Sequence, residues 1–222
     1  MIIRKHFSLV ILLLAFSLTA CSAFNNGKFS QDLLPGKVSG EVLFEDDFSK
    51  SGSGFETISN VYELKAYSPD GYMISINQAN SRAISTTNLN YTNSEISVKT
   101  KKILGPSDSQ LGLVCRYQDK YNFYAFTISS DGYAGIIRMK EGQKELLNSE
   151  TLIWVENINL ADGENHLSAL CDSDKLTFTV NGELVLTAED DSFVNGDAGF
   201  FVETFDLAKT TVLFTEFVIR KP

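Results

Sequence analysis

The chain has 222 residues, 43% of them hydrophobic, and carries 19 Lys+Arg against 28 Asp+Glu, a net charge of -9. That balance argues against a nucleic-acid partner, because binding a phosphate backbone needs a basic patch. The length suits one well-buried domain, and the acidity is in keeping with solubility outside the cell.

The first segment, Met1 to His6, is short and basic through Arg4 and Lys5. Phe7 to Ala20, FSLVILLLAFSLTA, is an uncharged apolar run. It is too short to cross a bilayer as a helix and right for the hydrophobic region of a signal peptide. It closes on Leu18-Thr19-Ala20-Cys21, which resembles the lipobox of bacterial lipoproteins. The resemblance implies that residues 1–20 are a signal peptide and that Cys21 is lipidated and begins the mature chain. The lipid would then hold the protein at the cell envelope, on the outer face of a membrane. Several acyl chains on one cysteine give stable anchoring where a single chain does not. Ser22, standing where an Asp would signal retention, implies an outer-membrane address in a double-membraned cell. The alternative is an ordinary secretory signal with a chance cysteine. Loss of Arg4 and Lys5 would take the mature charge to about -11. Residues 21–40 are small, polar and glycine-containing, without a period of 2 or 3.6, and read as a flexible tether.

From Glu41 to Pro222 the pattern is one of short strands. EVLFEDDF, VYELKAYS, YMISIN, RAIST and SEISVKTKKI come first. Then comes a central meander, Leu111 to Lys140, of LGLVCRY, NFYAFTISS and YAGIIRMK. KELLN, TLIWV, HLSALC, KLTFTV, ELVLTAE, DAGFFVET and TVLFTEFVIR follow. Asp131-Gly132 and Asn181-Gly182 are strong two-residue hairpin signals. Turns every 8–12 residues, without helical periodicity or a fixed repeat, indicate an all-β sandwich or barrel.

FEDDFS, GLVCRYQDKYNFYAFTISSDGY, LTFTVNGELV and AGFFVET with VLFTEFVIR together resemble the concanavalin A-like lectin/glucanase superfamily. More narrowly they resemble laminin-G-like jelly rolls of bacterial lipoproteins, related to the 3-keto-disaccharide hydrolase family. The resemblance runs from about Glu41 to Arg220. It implies an antiparallel two-sheet jelly roll with its first and last strands adjacent. The superfamily holds both sugar-binding modules and glycosidases, so the fold does not choose between them.

Besides Cys21, the cysteines are Cys115 and Cys171. Alternation puts Cys115 with Leu111 and Leu113, and Cys171 with Leu167 and Ala169, so both point towards the core. An exported chain with two such cysteines suggests one bridge; the alternative is two buried thiols. There is no CxxC, and His166 is the only histidine after the signal, so a zinc site of Cys/His type is not available.

No G-x-S-x-G and no phosphate loop occurs. The glucanases of the superfamily carry E-x-D-x-x-E on one strand, where two carboxylates can flank a glycosidic bond. The nearest strand here, SEISVKTK, follows Glu95 with Ser97 and Lys99, so glycosidase activity of that type is not expected. Glu189-Asp190-Asp191 reads as a solvated turn. A structural calcium between first and last strands recurs in the superfamily, which makes Asp46, Asp47 and Glu216 candidate ligands. Hard oxygen donors suit that ion; the alternative is two turn carboxylates and a surface glutamate. No other cofactor is implied.

A two-residue Asp131-Gly132 loop pairs Phe126 with Ile137 and Tyr124 with Met139 on the core face. It leaves Phe123, Thr127, Ile136 and Arg138 on the other face. A four-residue loop from Gln118 to Tyr121 would set Arg116 beside Phe123 there. Arg116, Phe123, Thr127 and Arg138 are therefore the candidate ligand groove, since an aromatic ring beside guanidinium groups suits a sugar. Trp154, the only tryptophan, is either a second platform or core. The leading functional reading is an envelope-anchored, non-catalytic carbohydrate-binding or interaction module. A sugar-acting hydrolase with an unrecognised site and a purely structural envelope protein are the alternatives. Carboxylates in the groove would favour the hydrolase, aromatics and arginines the binding module.

Overall fold

The computed structural model describes residues 40–222; the signal segment, Cys21 and the rest of the tether lie outside them. The described residues contain no helix. The strands begin with β1 (Val42–Asp46), β2 (Ile58–Ser59), β3 (Glu63–Ser68), β4 (Gly71–Ile76), β5 (Ser81–Thr86) and β6 (Ser94–Leu104). The meander follows as β7 (Gln110–Asp119), β8 (Asn122–Ser129) and β9 (Tyr133–Lys140), then β10 (Gln143–Leu146) and β11 (Ile153–Trp154). The chain ends with β12 (Asn165–Asp172), β13 (Lys175–Val180), β14 (Glu183–Glu189), β15 (Asp197–Thr204) and β16 (Thr210–Arg220).

They form two antiparallel sheets packed as a jelly-roll sandwich. One runs β14-β13-β12-β6-β16-β4-β3-β2, with β1 also on β16. The other runs β10-β9-β8-β7-β15-β5, with β11 also on β9. First and last strands are adjacent, Val42 opposite Arg220 and Asp46 opposite Phe217.

The two sheets differ in how their strands read. In β6, buried and half-buried residues alternate from Ser94 to Lys102, as one core face and one wetter face require. In β8 and β15 every residue after the first is buried. The seven-stranded sheet is covered on both sides, so its central strands are continuous apolar runs.

The main core lies between the sheets. Phe200 stacks on Phe55 at 4.9 Å and on Phe214 at 4.3 Å, and Tyr72, Phe48 and Phe217 close around them. A smaller cluster of Val114, Phe123, Ala125, Ile137, Met139 and Phe201 lies on the outer face of the seven-stranded sheet. Cys115 on β7 and Cys171 on β12 are bridged across the main core, their Cα atoms 6.7 Å apart.

Two turns depart from the sequence reading. Asn181 (φ 50) and Gly182 (φ 87) make the expected two-residue hairpin, with Val180 opposite Glu183. The Asp131-Gly132 turn is instead a three-residue loop, Ser130 to Gly132, in which only Gly132 has positive φ. The Asp131 amide donates to Ser107 O and the Gly132 amide to Ser129 O, a type I turn followed by a left-handed residue. Register therefore shifts by one: Phe126 faces Ile136, Tyr124 faces Arg138 and Phe123 faces Met139. Ile136 is in the main core, Ile137 and Met139 are on the outer face, and Arg138 leaves the groove face.

The β7–β8 connection is the second correction. Cys115 faces Tyr124 as expected, but Asp119 faces Asn122, leaving a loop of Lys120 and Tyr121 and a bulge between Cys115 and Asp119. Arg116 sits in that bulge at φ 49. A bulge re-aims the side chain it carries, and Tyr117 takes the place beside Phe123, ring to ring at 5.8 Å.

Candidate functional site

The outer face of the seven-stranded sheet carries a cleft of about 540 Å3 along the β5 side. Alternation builds its floor. On β5, Ala83 and Ser85 point inward and Arg82 and Ile84 outward; on β15, Phe200 and Val202 point inward and Phe201 and Glu203 outward. Arg82 lies opposite Glu203 in the ladder. Its Nε and Nη2 donate to Glu203 Oε1 at 3.2 and 2.6 Å, and Lys144 Nζ donates to Oε2 at 2.5 Å. Glu203 is 8% exposed, so each oxygen of a nearly buried carboxylate holds a cation, as burial of that charge demands. The Arg82 guanidinium lies 5.6 Å from the ring centres of both Phe123 and Phe201, a cation–π placement.

The second wall comes from the other sheet. Lys65 on β3 reaches across the seam between the sheets to Ile84 O at 2.6 Å. It also pairs with Glu56, and with Glu63 at 3.1 Å. The mouth is the β7–β8 turn. Asp119 Oδ1 accepts the Tyr121 amide at 2.7 Å, and Tyr121 O accepts the Gly142 amide at 3.1 Å. Tyr121 is 51% exposed, and Lys120 Nζ lies 4.9 Å from the centre of its ring. Burial, with Asp119 and Glu56 nearby, raises the Tyr117 phenol above its usual value, so it stays a neutral hydrogen-bonding group at neutral pH. Exposed aromatic surface beside fixed donors and acceptors is the chemistry that a sugar's apolar face and hydroxyls require.

None of the candidates read from sequence lines this cleft; Phe123 comes nearest, fully buried beneath Arg82 and beside Tyr117. Arg116 is 2% exposed and spends its guanidinium on loops: Nη1 donates to Phe193 O at 2.7 Å, Nε to Thr92 O at 3.3 Å and Nη2 to Asn93 Oδ1 at 3.4 Å. Thr127 faces the expected side but is buried. The chain between β10 and β11 covers that side. Leu146 and Leu152 lie so close over Gly135, the residue opposite Thr127, that a Cβ there would meet their methyls at 2.8 and 2.6 Å. Arg138 pairs with Asp190 and Glu145 at the end of the sandwich. Trp154 is 54% exposed next to Tyr133, at the opposite end of β9 from Met139, and is not core.

Sequence reasoning missed Arg82, Lys65, Lys144, Tyr117, Lys120 and Tyr121. One signal was available: Glu203 directly follows the apolar run AGFFV within DAGFFVET, and a buried carboxylate needs cations.

The calcium candidates Asp46, Asp47 and Glu216 line one cleft, and each carboxylate is engaged within the protein. Asp46 accepts the Phe48 amide at 2.7 Å and the Ser53 hydroxyl, Asp47 accepts the Ser49 amide at 2.9 Å, and Glu216 pairs with Lys99 at 2.6 Å. No group of three or more acidic, His or Cys side chains converges among the described residues, so this donor set does not fit the ion. His166 is exposed at the start of β12; partial desolvation and Lys99 lower its pKa.

No family model and no curated protein matches the sequence. Solved structures do match. The carbohydrate binding module CBM66 from Bacillus subtilis superposes with a TM-score of 0.59 at 16% identity, over 76% of this chain and 96% of that one. The Bacillus licheniformis beta-glucanase gives 0.59 at 11% identity, over 84% of this chain and all of that one. A Bacillus subtilis protein of unknown function with a galectin-like fold gives 0.57 at 12% identity, over 82% and 96%. At these identities the likeness defines the fold, a jelly roll of the galectin and glucanase type, and nothing finer.

Proposed function

We propose that residues 41–222 are a glycan-binding domain that takes its ligand in the cleft of Arg82, Lys144, Tyr117 and Tyr121, and that the lipid on Cys21 anchors it to the outer face of a membrane. The observation that carries the binding reading is the cleft itself, where an exposed tyrosine ring stands beside cationic donors held rigidly by Glu203. The fold shared with a protein named as a carbohydrate binding module supports it. The lipobox resemblance supports the anchor.

A hydrolase is the second reading, because Glu56 and Glu63 do line the cleft. Both carboxylates are engaged by Lys65, which leaves binding as the better account. A glycan-array screen of residues 40–222, repeated with Tyr121→Ala, tests the proposal. Glycan retention that falls with the variant supports it. Array signal unchanged in Tyr121→Ala places the ligand elsewhere. Release of reducing ends from a bound glycan, abolished by Glu56→Gln, would make the protein the enzyme.

A further inference from the structure

We propose, resting on the glycan-binding reading, that the ligand of this cleft is an acidic glycan whose uronate carboxylates are held by Arg82, Lys144 and Lys120. The chain is strongly acidic, with a net charge of -9. Yet the cleft gathers four cations, Lys65, Arg82, Lys120 and Lys144, against the two carboxylates Glu56 and Glu63 on its walls. Glu203 at the floor neutralises one of the four, so the cleft is locally positive in an acidic protein. A cleft lined by one sign of charge concentrates ligands of the other.

The donors left over carry the inference further. Arg82 spends Nε and Nη2 on Glu203, and among the described residues its Nη1 meets no acceptor. Lys144 uses one of its three ammonium protons on Glu203. Lys120 meets no carboxylate among the described residues; its partner is the face of Tyr121. Each of these cations is therefore oriented by the protein and still able to donate. Preorganised charged donors of this kind bind a carboxylate more strongly than a hydroxyl, because the hydrogen bond is charge-assisted. Tyr121 beside them offers a stacking face for the sugar ring that bears the carboxylate.

The test is calorimetric titration of residues 40–222 with polygalacturonate, alginate and hyaluronan, each against its carboxyl-reduced, neutral counterpart, and with heparin as a sulfated probe. At least one uronate should bind about tenfold tighter than its neutral counterpart, the scale of one charge-assisted contact, and lose affinity as salt rises. Lys120→Ala should weaken that binding about tenfold and Lys120→Arg should restore it; Lys120 is exposed, so the fold is not at risk. Equal binding of acid and neutral forms would overturn the acidic-ligand inference while leaving the glycan-binding domain standing. Binding of heparin alone would overturn the uronate assignment and make sulfate the anion. Binding of none of these probes, while neutral glycans bind on the array, would overturn it as well; failure of every glycan would overturn both proposals.

Discussion

Cys115 and Cys171 join the two sheets through the middle of the core, one on β7 of the seven-stranded sheet and the other on β12 of the nine-stranded sheet. The bond closes a loop of 56 residues that includes the whole meander after Cys115. A covalent tie of that span restricts the unfolded chain and should stabilise the fold by about 2–4 kcal/mol. Urea unfolding of the oxidised protein and of the Cys115→Ala/Cys171→Ala variant measures it. A double variant with an unchanged midpoint would show that the bond adds no stability.

The ion pairs of this protein should differ sharply in worth. Glu203→Ala removes the nearly buried acceptor shared by Arg82 and Lys144, whose side chains are 25% and 34% exposed, and should destabilise by roughly 1–3 kcal/mol. Glu216→Ala removes an exposed pair with Lys99, the two side chains being 62% and 36% exposed, and should leave stability nearly unchanged. Denaturation of the two variants side by side checks the ranking.

Arg116→Ala should destabilise the fold by roughly 1–3 kcal/mol, because it strips partners from Phe193 O, Thr92 O and Asn93. It should leave glycan affinity unchanged. Phe123→Ala should cost about 3–5 kcal/mol by opening a cavity under Arg82. Chemical denaturation and titration with the best array glycan separate these effects.

Asp190 links pH to stability. Burial opposes its charge, but hydrogen bonds from Tyr124 and Ser192 and the Arg138 cation outweigh that and hold its carboxyl below the usual value. A group whose folded pKa is depressed contributes stability above its unfolded pKa, about 3.9, and loses it as pH falls through the lower folded value. Acid unfolding should therefore steepen below about pH 4. The Asp190→Asn variant should be less stable at neutral pH and show a shallower acid limb. Parallel limbs in the two proteins would exclude Asp190 as the titrating group.

Mass spectrometry of the native protein should find an acylated Cys21 at the N-terminus. An unmodified start at any other residue would exclude the lipid anchor.

Alternation and turn spacing in the sequence were sufficient for the all-β sandwich, for most strands, and for the inward aim of both bridged cysteines. These are local properties: side-chain direction in a strand has a period of two, and burial of one face writes that period into the residues. The faces of β8 were legible for the same reason. The face of β9 was not, because one residue more in a turn inverts every side chain that follows it. That residue was set by Ser107 O, which accepts the Asp131 amide from a loop more than twenty positions earlier. Arg116 was misplaced by a bulge, which likewise has no local period. The cleft belongs wholly to tertiary structure. Arg82, Glu203 and Lys144 meet from β5, β15 and β10, and Lys65 reaches the Ile84 carbonyl of β5 from the other sheet. Separation along the chain hides such neighbours, and only the pairing of distant strands brings a buried carboxylate to the cations it requires.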